Sequence, residues 1–320
     1  MRIHAIMITT AAAVILSLLF PRQAPGVAAQ SQVKSIVVDG VERKYALYIP
    51  GAPAGRDRTS LVIVLHGAFG YGGIISDYTG INERAERSDF IAAYPESFGP
   101  YWNDGRVDPG SFAYRKNIDD VHFISGLIDA VVSEYPVDPA RVYAVGFSNG
   151  GMMVHRLAIE IPEKLAAAAS VAGSLPRQLL FSRPGAAVPV IMFHGTDDRT
   201  VPWRGGKLGK GNKSHGEVLS VLNTVLFWSL RNGCANKPVL EMAPDTDPDD
   251  GTIVFRVAFC EKKPDSEILL YSIQGGGHTW PGSKIVLPAE KTGRTSGDIN
   301  ATDLILNFFS RHRKTARPVR

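Results

Sequence analysis

Cysteine is scarce, with two residues, Cys234 and Cys260, in a chain of 320. Neither sits in a Cys-x-x-Cys spacing or beside a paired His, so the two thiols suggest no metal site. An excess of one charge is also missing. The formal charge is +4, but Arg2 and Arg22 lie in the first thirty residues. Arg311, Arg313, Lys314, Arg317 and Arg320 crowd the last ten, with no acid among them. The body between is slightly acidic, which argues against a nucleic-acid surface. Internal repeats, Pro- or Ser-rich linkers and a second composition zone are absent, so one domain is expected.

What the chain does have begins with a leader. Arg2 and His4 precede an apolar run from Ile6 to Phe20, and Val27-Ala28-Ala29 stands before Gln30. This is the layout of a secretory signal peptide, and the run is short for a transmembrane span. An uncleaved N-terminal anchor is the alternative. We therefore expect residues 1–29 to be a signal peptide, 30–310 a catalytic domain, and 311–320 a solvated basic tail. The mature protein is expected to be secreted or periplasmic, with no stable membrane insertion. In an oxidising compartment Cys234 and Cys260 read as a disulfide, contributing roughly 3–4 kcal/mol by restricting the unfolded chain.

Along the body, apolar runs alternate with amphipathic stretches. A hairpin is expected around Asp39-Gly40, and buried strands at 61–65, 90–94, 141–147, 167–172, 188–193, 253–259 and 268–273. Helices are expected over 81–88, 118–132, 150–160, 217–232 and 303–311. That alternation predicts an α/β fold with a mostly parallel sheet and helices on both faces. A long loop from Pro95 to Asn117 interrupts it, and loops of that length are commonly functional.

Gly146-Phe147-Ser148-Asn149-Gly150 fits Gly-x-Ser-x-Gly between an apolar strand and a helix. A serine in such a tight turn is exposed at a helix N-terminus, so Ser148 is the candidate nucleophile. A serine hydroxyl needs a base, and the base an orienting carboxylate. His194-Gly195-Thr196-Asp197-Asp198 ends a strand; Asp198 is preferred as the acid, with Asp197 as its rival. Of eight histidines, His278 follows three glycines after a strand and is the candidate base. His66 and His194 read as turn-packing, His122 and His155 as helical, and His215 and His312 as poorly held. The oxyanion hole is expected from the N–H groups of Asn149 and Ala68, with Phe69 as the next donor. Trp102, Trp203 and Trp280 are candidates for the substrate pocket, and Trp228 for the core. Asp119 and Asp120 read as caps at a helix start. The acidic run 245–250 fails as a calcium loop, having Asp250 where Gly is needed and Arg256 where Glu belongs.

These motifs, together with Leu65-His66-Gly67, the Trp102-Asn103 loop, Asp119-Asp120-Val121, Val201-Pro202 and the heptapeptide Gly276–Gly282, resemble the polyhydroxybutyrate depolymerase and feruloyl esterase group of α/β-hydrolases, over about residues 33–310. The resemblance implies Ser148, Asp198 and His278 as the triad, and a disulfide where Cys234 and Cys260 stand. It departs from the group in having no Cys between Tyr94 and Asn117. It also lacks the linker and binding domain with which depolymerases attack solid polymer, which points to oligomers. The expected activity is serine hydrolysis of hydroxybutyrate-type oligomers or of feruloyl or acetyl esters of polysaccharide, without metal or organic cofactor. A serine peptidase of the same fold and a non-catalytic polymer- or wall-binding protein are the competing readings.

Overall fold

Alternation of apolar side chains to both faces of each strand builds the sheet. The computed structural model describes residues 30–51, 58–88, 90–209, 214–234, 237–261 and 263–314; the expected leader and the last six residues of the tail lie outside them. In chain order come β1 (Gln30–Val38), β2 (Val41–Ile49), β3 (Thr59–Leu65), α1 (Gly72–Thr79), α2 (Ile81–Ser88) and β4 (Phe90–Pro95). Next are α3 (Phe112–Arg115), α4 (Asp120–Glu134), β5 (Val137–Phe147), α5 (Asn149–Glu160), β6 (Ala167–Val171) and β7 (Val190–Gly195). A two-stranded ribbon, β8 (Gly206–Lys207) and β9 (Glu217–Val218), precedes α6 (Val221–Arg231). The chain ends with β10 (Val239–Met242), β11 (Ile253–Phe259), β12 (Ile268–Gln274), α7 (Ala289–Thr292) and α8 (Ala301–Ser310).

Ten strands form one sheet in the order β1-β2-β4-β3-β5-β6-β7-β12-β11-β10. From β4 to β12 the neighbours run parallel, and the flanking strands on each side pair antiparallel. Leu61, Ile63 and Leu65 face α4, α5 and α6, whereas Val62 and Val64 face α1, α2 and α8. A run such as Leu61–Leu65 is apolar throughout because both of its faces are covered. The carboxyl ends of β3, β5, β7 and β12 therefore meet at one edge, where α/β sheets carry their sites.

Several stretches differ from the sequence expectation, three of them with a clear physical reason. The segment Gly72–Thr79 is helical despite two glycines and no side-chain N-cap. Tertiary contacts supply what propensity lacks: Glu96 Oε1 accepts the Gly72 N–H at 2.8 Å, and Ile75 and Tyr78 are buried against the sheet. The expected helix 217–232 begins only at Val221, capped by Ser220, because Glu217 and Val218 pair with β8. The basic tail is not frayed at its start. His312 is buried beside Phe308, its Nε2 3.1 Å from Glu267, while Arg313 pairs with Asp138 at 2.9 Å and the Lys314 N–H donates to Ala140 O. The Cys234–Cys260 disulfide is formed, tying the segment after α6 to the end of β11, with Cα atoms 5.5 Å apart.

His155 lies inside α5 with no exposed surface; its Nδ1 accepts from Trp228 Nε1 at 3.0 Å, and its Nε2 is 3.3 Å from Gly173 O. Burial lowers its pKa to about 4. An imidazole that ionises less readily folded than unfolded leaves the unfolded chain holding more protons below pH 6.5. Stability should therefore be complete above pH 6.5 and fall by about 3 kcal/mol as pH approaches 4. Calorimetric unfolding of wild type and His155→Asn across this range checks it, and the variant should lose that part of the slope.

Candidate active site

β5 and α5 meet in a turn that a bulky sequence could not make. A Cβ on Gly146 would lie 2.3 Å from Gly150 C, and one on Gly150 would lie 2.4 Å from Leu65 O. Between them Ser148 takes φ 56° and ψ −119°, a conformation that L side chains rarely adopt. Its N–H donates to Val171 O at 2.8 Å, holding the turn on β6.

Loops from β7 and β12 reach the same hydroxyl. His278 Nε2 is 2.9 Å from Ser148 Oγ, and His278 Nδ1 is 2.7 Å from Asp198 Oδ2. The other oxygen of Asp198 accepts the N–H groups of Thr200 and Val201, both at 2.8 Å. Burial opposes charge on Asp198, but attraction and hydrogen bonding from His278, with smaller help from His194 and the Val201 N–H, hold its pKa below the usual range. His194, whose pKa burial lowers, sits with Nε2 2.8 Å from Val201 O and braces the acid's loop. Asp197 is exposed, its N–H bound to Gly276 O, and no contact carries it toward His278.

Around Ser148 the candidate oxyanion donors separate. Asn149 opens α5, where a first-turn N–H has no intrahelical acceptor. The Ala68 N–H donates to no protein acceptor among the described residues. Phe69 is ruled out as a donor, since its N–H is spent on Pro100 O at 2.7 Å.

A feature not foreseen from sequence is the clamp on Asn149. Its Oδ1 accepts the Trp102 N–H at 2.8 Å and its Nδ2 donates to Asp104 at 2.6 Å. Asp104 is buried and paired to Arg106, which donates to His215 O at 2.7 Å. Asp120 is not the cap expected of it: fully buried, it accepts from Arg43 at 2.6 Å and from the Asn103 N–H at 2.7 Å. Asp119 does cap, accepting the His122 N–H at 2.8 Å. The long loop is thus tied to the turn that carries Ser148. The cue in the sequence was the charged pair Asp104 and Arg106 beside Trp102-Asn103.

A cavity of about 750 Å³ opens over Ser148 and His278. None of the three tryptophans expected there lines it. Trp102 is buried with Nε1 on His66 O, Trp280 is buried with Nε1 on Thr302, and Trp203 packs edge-on to His194. Smaller and nearer rings do so instead, among them Phe69, Tyr101 and Phe147, with Met152, Val201 and Leu208. His215, expected to be poorly held, stacks on Tyr101 and lies 3.3 Å from Asp108. In the acidic run, Asp250 spends its carboxylate on the N–H groups of Thr252 and Gly297.

A serine at a strand-to-helix turn, hydrogen-bonded to His and carboxylate at the carboxyl edge of a mostly parallel sheet, defines an α/β-hydrolase. The chain belongs to the Phospholipase/Carboxylesterase family, whose profile matches residues 52–215, and it is a serine ester hydrolase. It is 31% identical over 294 residues to NocK, a protein of Nocardia uniformis subsp. tsuyamanensis that carries the name of an esterase. That alignment covers 88% of this chain and 83% of NocK. Feruloyl esterase B of Piromyces equi is 26% identical over 74% of this chain, which spans 42% of that longer protein. Poly(3-hydroxyoctanoate) depolymerase of Pseudomonas fluorescens is 32% identical over 26% of this chain and 33% of its own. In fold, the acetyl xylan esterase of Aspergillus awamori superposes with a TM-score of 0.57 at 16% identity, covering 88% of this chain and 99% of that one.

Asn149→Ala retains the backbone N–H but releases the 102–104 segment. Misplacing a donor by about 1 Å can cost up to roughly a hundredfold in rate. The expected outcome in steady-state kinetics is a lower kcat with little change in KM; a change confined to KM would contradict the clamp.

Proposed function

We propose that Ser148, His278 and Asp198 hydrolyse carboxylic esters by two-step acyl transfer. The observation that carries this reading is the unbroken chain from Ser148 Oγ to His278 at 2.9 Å and on to Asp198 at 2.7 Å. His278 takes the hydroxyl proton as Oγ attacks the ester carbonyl, and Asp198 stabilises the imidazolium. The N–H groups of Asn149 and Ala68 receive the oxyanion. His278 then protonates the leaving alcohol, and water, deprotonated by His278, releases the acid. Each step balances with these groups, the ester and water.

The substrate reading follows from the cavity. Its size of about 750 Å³ exceeds what an acetyl group fills, and its walls are mainly apolar and aromatic. Hydroxycinnamoyl and hydroxyalkanoate esters match such walls. Relatives named for feruloyl ester and for poly(3-hydroxyoctanoate) cleavage agree with this choice. The leader-like first 29 residues and the disulfide support export as part of the same proposal.

Two soluble esters test it, methyl ferulate and a 3-hydroxybutyrate trimer. Wild type should cleave at least one, and Ser148→Ala should lose roughly a thousandfold or more in kcat/KM. The preferred ester names the acyl class. Retained activity in Ser148→Ala would refute the assignment of the nucleophile.

A further inference from the structure

The sheet is covered unevenly at its β10 end. On one face of β11, Val254 and Ala258 are buried; on the other, Phe255 and Val257 are only half-buried. Leu240 and Met242 of β10 stand opposite Val257 and Phe255 in the register and so share that open face. They are 66% and 68% exposed. Further along the sheet the same face is closed by α6, since Leu270 of β12, the neighbour of Val257, lies in one core with Val225 and Trp228. Among the described residues no helix continues that layer over β11 and β10. Two strands about 4.8 Å apart leave an uncovered strip about 10 Å wide, the diameter of one helix.

Helix α6 carries the matching half. One of its flanks is engaged: Thr224 Oγ1 accepts the Leu175 N–H at 3.2 Å, Trp228 Nε1 donates to His155, and Arg231 donates to Leu180 O. On the opposite flank Leu222, Leu226 and Leu230 recur every fourth residue as a single row, 59%, 51% and 68% exposed. Single exposed leucines need no explanation, but a full row beside an uncovered apolar strip does. Together row and strip present roughly 600 Å² of apolar surface, the upper end for a monomer's largest patch.

We propose that two copies of this chain associate through this face about a twofold axis, α6 of each lying across β10 and β11 of the other. The occupant follows from self-complementarity. A twofold contact needs one patch that holds both halves of the interface, and here ridge and floor stand side by side on one surface. Each copy gives its leucine row and receives the other's. The area is of the right order: a standard interface takes about 800 Å² from each partner, and a polar rim around the patch supplies the remainder. None of the five exposed side chains lines the cavity over Ser148. Association therefore leaves the site open, and the inference stands apart from the ester reading.

The test is sedimentation velocity of the full-length protein across a range of micromolar concentrations, with thermal unfolding followed by circular dichroism as the check on folding. Wild type should sediment as a dimer that dissociates on dilution. Leu226→Asp on the row and Leu240→Asp on the strip should each weaken dimerisation by about a hundredfold or more, because each would bury a charge without a partner. Both positions are exposed in the single copy, so the fold should be retained. Phe181→Ser, at an 84% exposed residue next to Leu180 on the engaged flank's side, should leave the dimer intact. A wild type that stays monomeric at every concentration overturns the proposal. So does a dimer that both Asp variants retain, or one that Phe181→Ser dissociates equally. Loss in Leu240→Asp alone would mean strands pairing edge to edge, and would overturn the contact of helix on strand.

Discussion

The backbone of Ser148 is the constraint on which the rest of the site depends. Holding an L residue at φ 56° and ψ −119° costs of order 1–3 kcal/mol, and such strain persists only where the surroundings over-determine it. Here β6 takes the Ser148 N–H, and the neighbours must be Gly146 and Gly150 because backbone lies where their Cβ atoms would be. What the strain gains is position. The hydroxyl projects from the sheet edge and the first free N–H groups of α5 lie beside it.

The same turn explains why remote polar residues are buried around it. Asn149 follows Ser148 and has its side chain gripped by Trp102 and Asp104; Asp104 is neutralised by Arg106, and Asp120 by Arg43. Ion pairs out of water add little net stability, but losing one partner is costly. Their effect here is to fix a long loop in one place against the helix N-terminus. On the acid's side, His194 and the N–H groups of Thr200 and Val201 fix Asp198 in the same manner.

The parts of this arrangement that are local in the chain were legible in the sequence. Strand, glycine, serine, glycine and helix occur within twenty residues, and His278 and Asp198 each follow a strand that must be buried. The sheet and its two helix layers follow from the same apolar alternation. What failed to show was long-range. Trp102, Trp203 and Trp280 looked like pocket walls because they are large and near the motifs. Trp102 and Trp280 are instead buried on His66 and Thr302, and the half-buried Trp203 packs on His194, contacts that the local pattern does not show. Helix α1 was hidden by its glycines, and its Gly72 N–H finds a partner in Glu96, twenty-four residues away. His312 was read as loose because a basic run surrounds it, although Glu267 and Phe308 bury it.

The central claim is that the hydroxyl of Ser148, and no other, becomes acylated. Intact-mass analysis after treatment with a fluorophosphonate, followed by peptide mapping, reads this directly. The account predicts a single adduct on Ser148, lost in Ser148→Ala and strongly slowed in His278→Ala. An adduct on another residue, or labelling that persists in Ser148→Ala, would contradict it.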